Sequence, residues 1–552
     1  MSLPVLGVAA RTAAGDLSAL WDLLAAEGSA FATEPPYDPE GLSNPACARV
    51  AGLSRGAPAE ALLEEVVAAA LAEAELPEDA VVGLVCGTSS GSVCGPWERW
   101  HRAVLAGSPA SDKGTGRDDP ARRVAARLRL AGPVTTLSTV CVSGTAALAV
   151  AEGWLRDGLA DAVVAAGVDA LSLFVHAGFS GLGALSASRP RPFHPDRDGL
   201  LLGEGAAALV LGAPGAGPAP AWLAGTALAS DATHMTAPDR DARGAITALR
   251  AALRAARLGT EAVQAVSVHG TGTRFNDAME ATALERVFGD QPLSVHGVKH
   301  AIGHTMGAAG AIEAALVVHA LRRGELPPVL RPPEGPGDDP APRIARRAAT
   351  APTHAEVAAS LSAAFGGLNA AAVLATRPAA TPEPGPEAVA GPTVRVALDG
   401  PGDWAAAWPD PPPRAGRLDV YSRIGLLALD RLRRQASIPQ GTALVLASRT
   451  GCRAVDLAYH ERVVTEGAAR ASRLAFTYTL PGAPLAEASI RFGWCGPQLA
   501  FVDTPARADA EARRWIRYHG APAAIALEVE APEPDGSARA RATLWRPAGG
   551  AP

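Results

Sequence analysis

The chain has 552 residues, of which 48% are hydrophobic and 19% charged, with a formal net charge of −6. That length exceeds one compact core and predicts about two to four core-forming units. With no basic excess, nucleic acid and anionic membrane surfaces are excluded as partners, and without a run of about 20 uninterrupted apolar residues no membrane span is predicted.

The first apolar stretch, Leu3-Pro4-Val5-Leu6-Gly7-Val8, has no basic segment before it and predicts a strand, not a secretory signal. Val81 to Cys86 predicts a buried strand, Thr145 to Arg156 an Ala-rich helix closed by Gly158, and Asp161 to Gly167 another strand. This alternation predicts a layered α/β architecture. Residues 376–392, with repeated Pro and Glu, predict a linker. The cysteines at 47, 86, 94, 141, 452 and 495 have neither CxxC spacing nor framework density, which predicts reduced thiols in a cytoplasm.

Beyond the linker the early pattern returns. Leu84-Val85-Cys86-Gly87-Thr88-Ser89-Ser90-Gly91 is echoed by Leu444-Val445-Leu446-Ala447-Ser448-Arg449-Thr450-Gly451. Gly132-Pro133 is echoed by Gly496-Pro497, and Trp154-Leu155-Arg156-Asp157-Gly158 by Trp515-Ile516-Arg517-Tyr518-His519-Gly520. A strand follows each tryptophan segment. Ordered matches at similar spacing predict a duplicated unit. Within it, the first copy carries Cys141 where the second carries Pro505, so only one copy can do thiol chemistry.

Cys141 sits where the strand Val134 to Thr139 meets a helix. Unpaired amides and the positive end of the dipole there favour thiolate and predict a lowered pKa; a buried structural cysteine is the alternative. Ser143-Gly144 predicts an open approach to the sulfur. Two histidine segments accompany it, Val266-Ser267-Val268-His269-Gly270-Thr271-Gly272-Thr273 and Val298-Lys299-His300-Ala301-Ile302-Gly303-His304. Either histidine alone reads as a satisfied loop or core residue. Glu313 falls in a helix after His304. Asp277 and Glu280 open a helix after the first segment, where pairing with its dipole accounts for them.

Taken in order, these residues resemble the β-ketoacyl-ACP synthases of the thiolase superfamily. The resemblance rests on Ser138-Thr139-Val140-Cys141, Arg191-Pro192-Phe193 with Arg197-Asp198-Gly199, and Gly203-Glu204-Gly205. It continues through His269-Gly270-Thr271-Gly272-Thr273 with Asp277 and Glu280, Lys299 with Gly303-His304, Gly307-Ala308-Ala309-Gly310, and Phe365-Gly366-Gly367-Leu368-Asn369. It spans roughly residues 3 to 376 and is similar to the elongating, two-histidine branch. It implies a thiolase-like layered α/β fold in two similar halves, 1–215 and 216–376. A linker, 377–392, leads to a third thiolase-like half-unit, 393–552, an inactive copy of the N-terminal half.

The resemblance also implies roles. Cys141 takes an acyl chain from a carrier-protein thioester. The amides of Cys141 and Phe365 form the oxyanion hole. His269 and His304 stabilise the enolate left when a malonyl thioester loses CO2. Lys299 and Glu313 pair and hold the His304 loop, with Asp277 supporting. Thr271 and Thr273 bond the pantetheine arm, and Phe365 gates the acyl pocket. No bound cofactor or metal is implied, because 4′-phosphopantetheine arrives on the acyl carrier protein. Departures are His194 where an Asp is usual, Ala363 and Ala364 before Phe365, Leu368 for a Thr, and no Gly-Phe-Gly hinge.

The C-terminal unit lacks both histidine segments and is similar to the truncated partners related to chain-length factors. This implies a pseudo-heterodimer within one chain, with ordinary homodimerisation as the alternative. Three competing readings follow from the residues. Gly87-Thr88-Ser89-Ser90-Gly91 fits a nucleophile elbow, with Ser89 making a serine hydrolase. His296, His300 and His304 recur every fourth residue, as ligands on one helix do. A synthase fold kept as a non-catalytic scaffold for acyl carriers is the third.

Overall fold

A computed structural model describes residues 2–53, 59–91, 93–108, 119–330, 343–344, 347, 351–380, 383–398, 404–530 and 537–549. The N-terminal half contributes β1 (Leu3–Thr12), β2 (Phe31–Ala32), β3 (Cys47–Ala48), β4 (Val82–Gly87), β5 (Val134–Leu137), β6 (Ala162–Asp169), β7 (Leu202–Gly203) and β8 (Gly205–Gly212). The second half contributes β9 (Trp222–Ser230), β10 (Ala265–Ser267), β11 (Ser294–His296), β12 (Val357–Ala364) and β13 (Leu368–Ala375). The C-terminal unit contributes β14 (Ala388–Leu398), β15 (Ala443–Ser448), β16 (Gln498–Val502), β17 (Ala524–Glu530) and β18 (Ala538–Pro547).

Fifteen of these strands join in the order β11-β10-β12-β13-β9-β1-β8-β6-β4-β5-β16-β15-β17-β18-β14. Strands β4, β6 and β8 are buried along their whole lengths, which is why they read as continuous apolar runs and not as alternating ones. The helices Ser143–Arg156 and Ala309–Arg323 pack against strands of both five-stranded halves and form the middle layer. Both are mostly apolar because both are buried along nearly their whole length, the last turn of Ala309–Arg323 excepted. The helix Ala59–Ala74 covers β1 and β8, and the helix Arg243–Ala256 covers β9 and β13.

The duplication is visible as mirrored strand order. Outward from the junction the N-terminal half runs β5-β4-β6-β8-β1 and the C-terminal unit β16-β15-β17-β18-β14. The junction is antiparallel, with Phe501 opposite Leu137 and Val502 opposite Thr136. The outermost strand of the copy starts at Ala388, inside the segment read as linker, so that reading ran too far. Gly391-Pro392 sit at a register shift in β14, which suits an edge strand and discourages further pairing there.

The two units share one core that includes Leu137, Trp154 and Phe174 from one side and Phe476, Phe501 and Trp515 from the other. Polar contacts cross the same boundary. Trp154 Nε1 donates to Glu511 Oε1 at 2.8 Å, Thr135 Oγ1 to Asp503 Oδ2 at 2.7 Å, and Arg514 pairs with Asp157 at 2.6 Å. His101 and His460 meet Nδ1 to Nδ1 at 2.8 Å. No described helix is long and apolar enough to cross a membrane.

Candidate active site

Cys141 lies on a single 3-10 turn, Val140–Val142, between β5 and the helix Ser143–Arg156. The turn is sharp enough to put Val140 at φ 54°, a left-handed conformation rarely adopted by a β-branched residue and costing about 1–3 kcal/mol. Several contacts hold it. Ser143 Oγ accepts from Thr139 N at 2.9 Å and donates to Val140 O at 2.5 Å. From the C-terminal unit, Ala500 O accepts from Ser138 N at 2.8 Å, and Ala500 N donates to Thr139 Oγ1 at 3.2 Å. The strained turn is therefore braced by both units.

The small residues after Cys141 serve packing, not access. A Cβ on Gly144 would lie 2.6 Å from Ala311 N and 2.9 Å from Gly307 O, so glycine lets the cysteine helix close on the Gly307–Ala311 segment. The predicted depression of the thiol pKa is also overturned. Burial pushes Cys141 up to about 12, against the pull of Lys299 and with the help of Asp169 and Glu313. Desolvation of the charged form outweighs the favourable charges nearby, so the resting group is the thiol.

His304 Nε2 lies 3.3 Å from Cys141 Sγ, and the His269 and His304 rings stand edge to face with centroids 5.2 Å apart. Three groups distant in sequence thus converge. His304 is fixed by its backbone, with N donating to Leu201 O at 2.7 Å and O accepting from Gly203 N at 3.1 Å. His269 is fixed through Glu280, whose two carboxylate oxygens accept from His269 N at 2.6 Å and Gly270 N at 2.7 Å. Asp277 accepts from Gly272 N at 3.2 Å and Phe193 N at 2.7 Å. These carboxylates anchor the glycine loop; the helix-dipole account of them was incomplete. Burial first, and then the Lys299 ammonium, hold both imidazoles well below their ordinary pKa, so both are neutral near pH 7. Lys299 Nζ meets Glu313 Oε1 at 2.5 Å with both side chains buried, and burial pushes the Glu313 carboxyl up to about 7 against the pull of Lys299.

The thiol and both imidazoles open on a cavity of about 460 Å³. Thr271 and Thr273 line it with their hydroxyls 2.9 Å apart. Phe365 lines its inner wall and stacks on Phe179 at 5.9 Å. Beyond Phe365 runs a narrow apolar seam whose far wall includes Leu480, Ala483, Ala486 and Leu499 of the C-terminal unit. Ala363 and Ala364 line the cavity and Leu368 the seam, so these three departures from the expected motif lie around Phe365. His194 lies elsewhere, accepting from Asp196 N at 3.0 Å.

The competing readings fare less well. Ser89 follows β4, but the next helix begins only at Gly95, so Ser89 is not on a tight strand-to-helix elbow, and its amide donates to Asp169. His296 is on β11, and the helix after it covers only Lys299–Ile302, so the three histidines share no helix face. Among the described residues no group of three or more metal-ligating side chains comes together. One residue the sequence reading missed is Asp169. The apolar run of β6 shows in the sequence to Gly167, and the carboxylate that closes this buried strand is the signal available.

Comparison with known proteins shows the family. The model for the β-ketoacyl synthase N-terminal domain matches residues 3–213, and that for the C-terminal domain residues 220–331. The chain is 34% identical over 331 residues to 3-oxoacyl-[acyl-carrier-protein] synthase 2 of Rhizobium meliloti (strain 1021), covering 54% of this chain and 75% of that protein. The chain belongs to the β-ketoacyl synthase family. It is also 36% identical over 271 residues to the tetracenomycin polyketide synthase ketoacyl synthase alpha subunit of Streptomyces glaucescens, covering 46% of this chain but only 62% of that subunit. The solved structure described as PfaC keto synthase–chain length factor matches all of this chain and 79% of its own, with TM-score 0.79 and 15% identity. At that identity the likeness is one of fold, and it includes the third half-unit of this chain.

Proposed function

We propose that the chain catalyses decarboxylative Claisen condensation of an acyl group with a malonyl thioester, both delivered on an acyl carrier protein, in fatty-acid or polyketide biosynthesis. The carrying observation is the 3.3 Å approach of Cys141 Sγ to His304 Nε2 beside a second neutral imidazole, at the end of a cavity open to a thioester arm. Sγ attacks the acyl thioester, and the thiol proton passes to the departing pantetheine sulfur, which leaves the neutral His304 ring with its own N–H for the second step. The amides of Cys141 and Phe365 hold the oxyanion. Malonyl carrier then enters along Thr271 and Thr273 and loses CO2. His269 and His304 donate to the enolate oxygen as charge develops, and the enolate carbon displaces Cys141 from the acyl group. The phosphopantetheine belongs to the carrier and is part of the substrate.

Incubation with acyl carrier and malonyl carrier, read by mass spectrometry, tests this. An acyl adduct on Cys141 and a product extended by the malonyl-derived unit are expected. Neither appearing would leave the non-catalytic scaffold as the better reading.

The C-terminal unit acts in this proposal as a fused partner that borders the acyl path. Its Phe476 packs against Phe179 at 5.6 Å, one ring away from Phe365, and Ala486 lies against the gate glycine Gly366. Ala486→Phe is expected to shift the product profile toward shorter chains, with Cys141 acylation by short chains unchanged; an unaltered profile would remove the unit from the acyl path. Because β16 already occupies the β5 edge, light scattering is expected to give the mass of one chain. A two-chain mass would favour homodimerisation.

A further inference from the structure

We propose that Asp169 is a positioning residue that holds the nucleophile turn and the His304 segment in register with each other. Asp169 ends β6, is 1% exposed, and is used by no step above. Five uncharged donors converge on its carboxylate. Oδ1 accepts from Thr88 Oγ1 at 2.8 Å, Ser90 Oγ at 2.8 Å and Ser90 N at 3.1 Å. Oδ2 accepts from Ser89 N at 2.9 Å and Gly307 N at 2.6 Å.

These donors come from the two segments that flank the reacting atoms. The loop Thr88–Ser90 supports the cysteine turn, because Ser138 Oγ donates to Ser89 O at 3.2 Å and Ser143 Oγ lies 3.4 Å from Thr88 O. Gly307 belongs to the 3-10 turn Met306–Ala308 that follows His304, where Met306 is forced to φ 53°. A Cβ on Gly307 would lie 2.5 Å from Ser89 N, so the two segments touch at backbone distance. One oxygen, Oδ2, bridges them. The 3.3 Å spacing between Sγ and Nε2 therefore depends on a carboxylate that touches neither.

The same carboxylate has an electrostatic signature. Cys141 faces Lys299, which favours thiolate, and Asp169 and Glu313, which oppose it, with the His304 ring at 3.3 Å. Asp169→Asn keeps the shape but turns one acceptor into a donor, leaving amides on that side unpaired, and removes the opposing charge. The assignment rests on the condensing-enzyme reading, so the test has one arm that uses substrate and one that does not.

In the full chain, Asp169→Asn is expected to lower kcat for malonyl-carrier decarboxylation by about tenfold to a hundredfold, with KM within about twofold. Iodoacetamide labelling of the Cys141 peptide, followed by mass spectrometry across pH, is expected to slide to lower pH. A merely loosened turn would raise that rate without moving its profile. A folded Asp169→Asn with wild-type kcat, or with a superimposable labelling profile, overturns the assignment. Should Asp169→Asn not fold, Ser90→Ala removes one donor and keeps the charge: a smaller fall in kcat with an unmoved labelling profile is expected, and a wild-type kcat overturns the assignment. Absence of decarboxylation and condensation in the wild type would end the condensing-enzyme reading instead, while the labelling arm would still judge Asp169.

Discussion

Cys141→Ala is expected to abolish acyl transfer and condensation, by at least about 10⁴-fold, while malonyl decarboxylation stays measurable. The thiol is the group in the cavity that can carry the acyl chain, whereas the enolate is stabilised by the imidazoles, which this change leaves in place. His269→Ala is expected to do the reverse. Its ring is paired with His304 and not hydrogen-bonded to Sγ, so acyl adduct should still form on Cys141 while decarboxylation falls by about 10²–10³-fold, the usual cost of losing one preorganised donor. His304→Ala should impair both steps, because Nε2 faces the thiol and the ring faces the cavity. The pH dependence follows from burial. Both imidazoles are depressed below their ordinary 6.5, so they stay neutral as pH falls to that value and contribute no acid limb to decarboxylation between pH 8 and 6.5; any limb near pH 7 belongs to Glu313, whose carboxyl burial raises to about 7. Measured half-reactions of the three variants decide the matter: condensation by Cys141→Ala at near wild-type rate would sink the whole scheme.

Much of this site could be read from the residues because each piece is locally encoded. The buried strand Val82–Gly87 and the Ala-rich helix after Cys141 follow from short-range apolar pattern, and the motif glycines mark places where backbone must approach backbone. Gly144 against Ala311 and Gly307 against Ser89 are of that kind. What could not be read depends on three-dimensional surroundings. The Cys141 pKa was expected to fall because the helix end is visible in the sequence, but the burial that raises it is a property of the assembled layers. Glu280 looked like a helix-start carboxylate, and only the fold shows its two oxygens closing on His269 N and Gly270 N. The repeat of Leu84–Gly91 at Leu444–Gly451 was legible as duplication. That β16 would pair with β5 was not, since an edge strand carries no local record of its partner.

That pairing carries the second large effect, expected on removal of residues 388–552. The truncated chain should yield no stable, active monomer. Leu137, Trp154, Phe174 and Phe179 are each under 5% exposed and sit in the core shared with Phe476, Phe501 and Trp515. Uncovering four such side chains at about 1.5–3 kcal/mol apiece would remove an amount comparable with the whole stability of a typical domain, about 5–15 kcal/mol. The loss also reaches the chemistry directly. Ser138 and Thr139 would lose their bonds to Ala500, leaving Val140 to hold its left-handed conformation next to the nucleophile with half its bracing gone. Ala500→Pro separates the two effects in the intact chain. It deletes the N–H that bonds Thr139 Oγ1 and disturbs β16 locally, so Cys141 acylation should slow even where the protein stays folded. Acylation rate, light scattering and product length, measured on both proteins, test the argument. A truncated monomer with unchanged acylation and unchanged product would reduce the C-terminal unit to an ornament on a self-sufficient synthase.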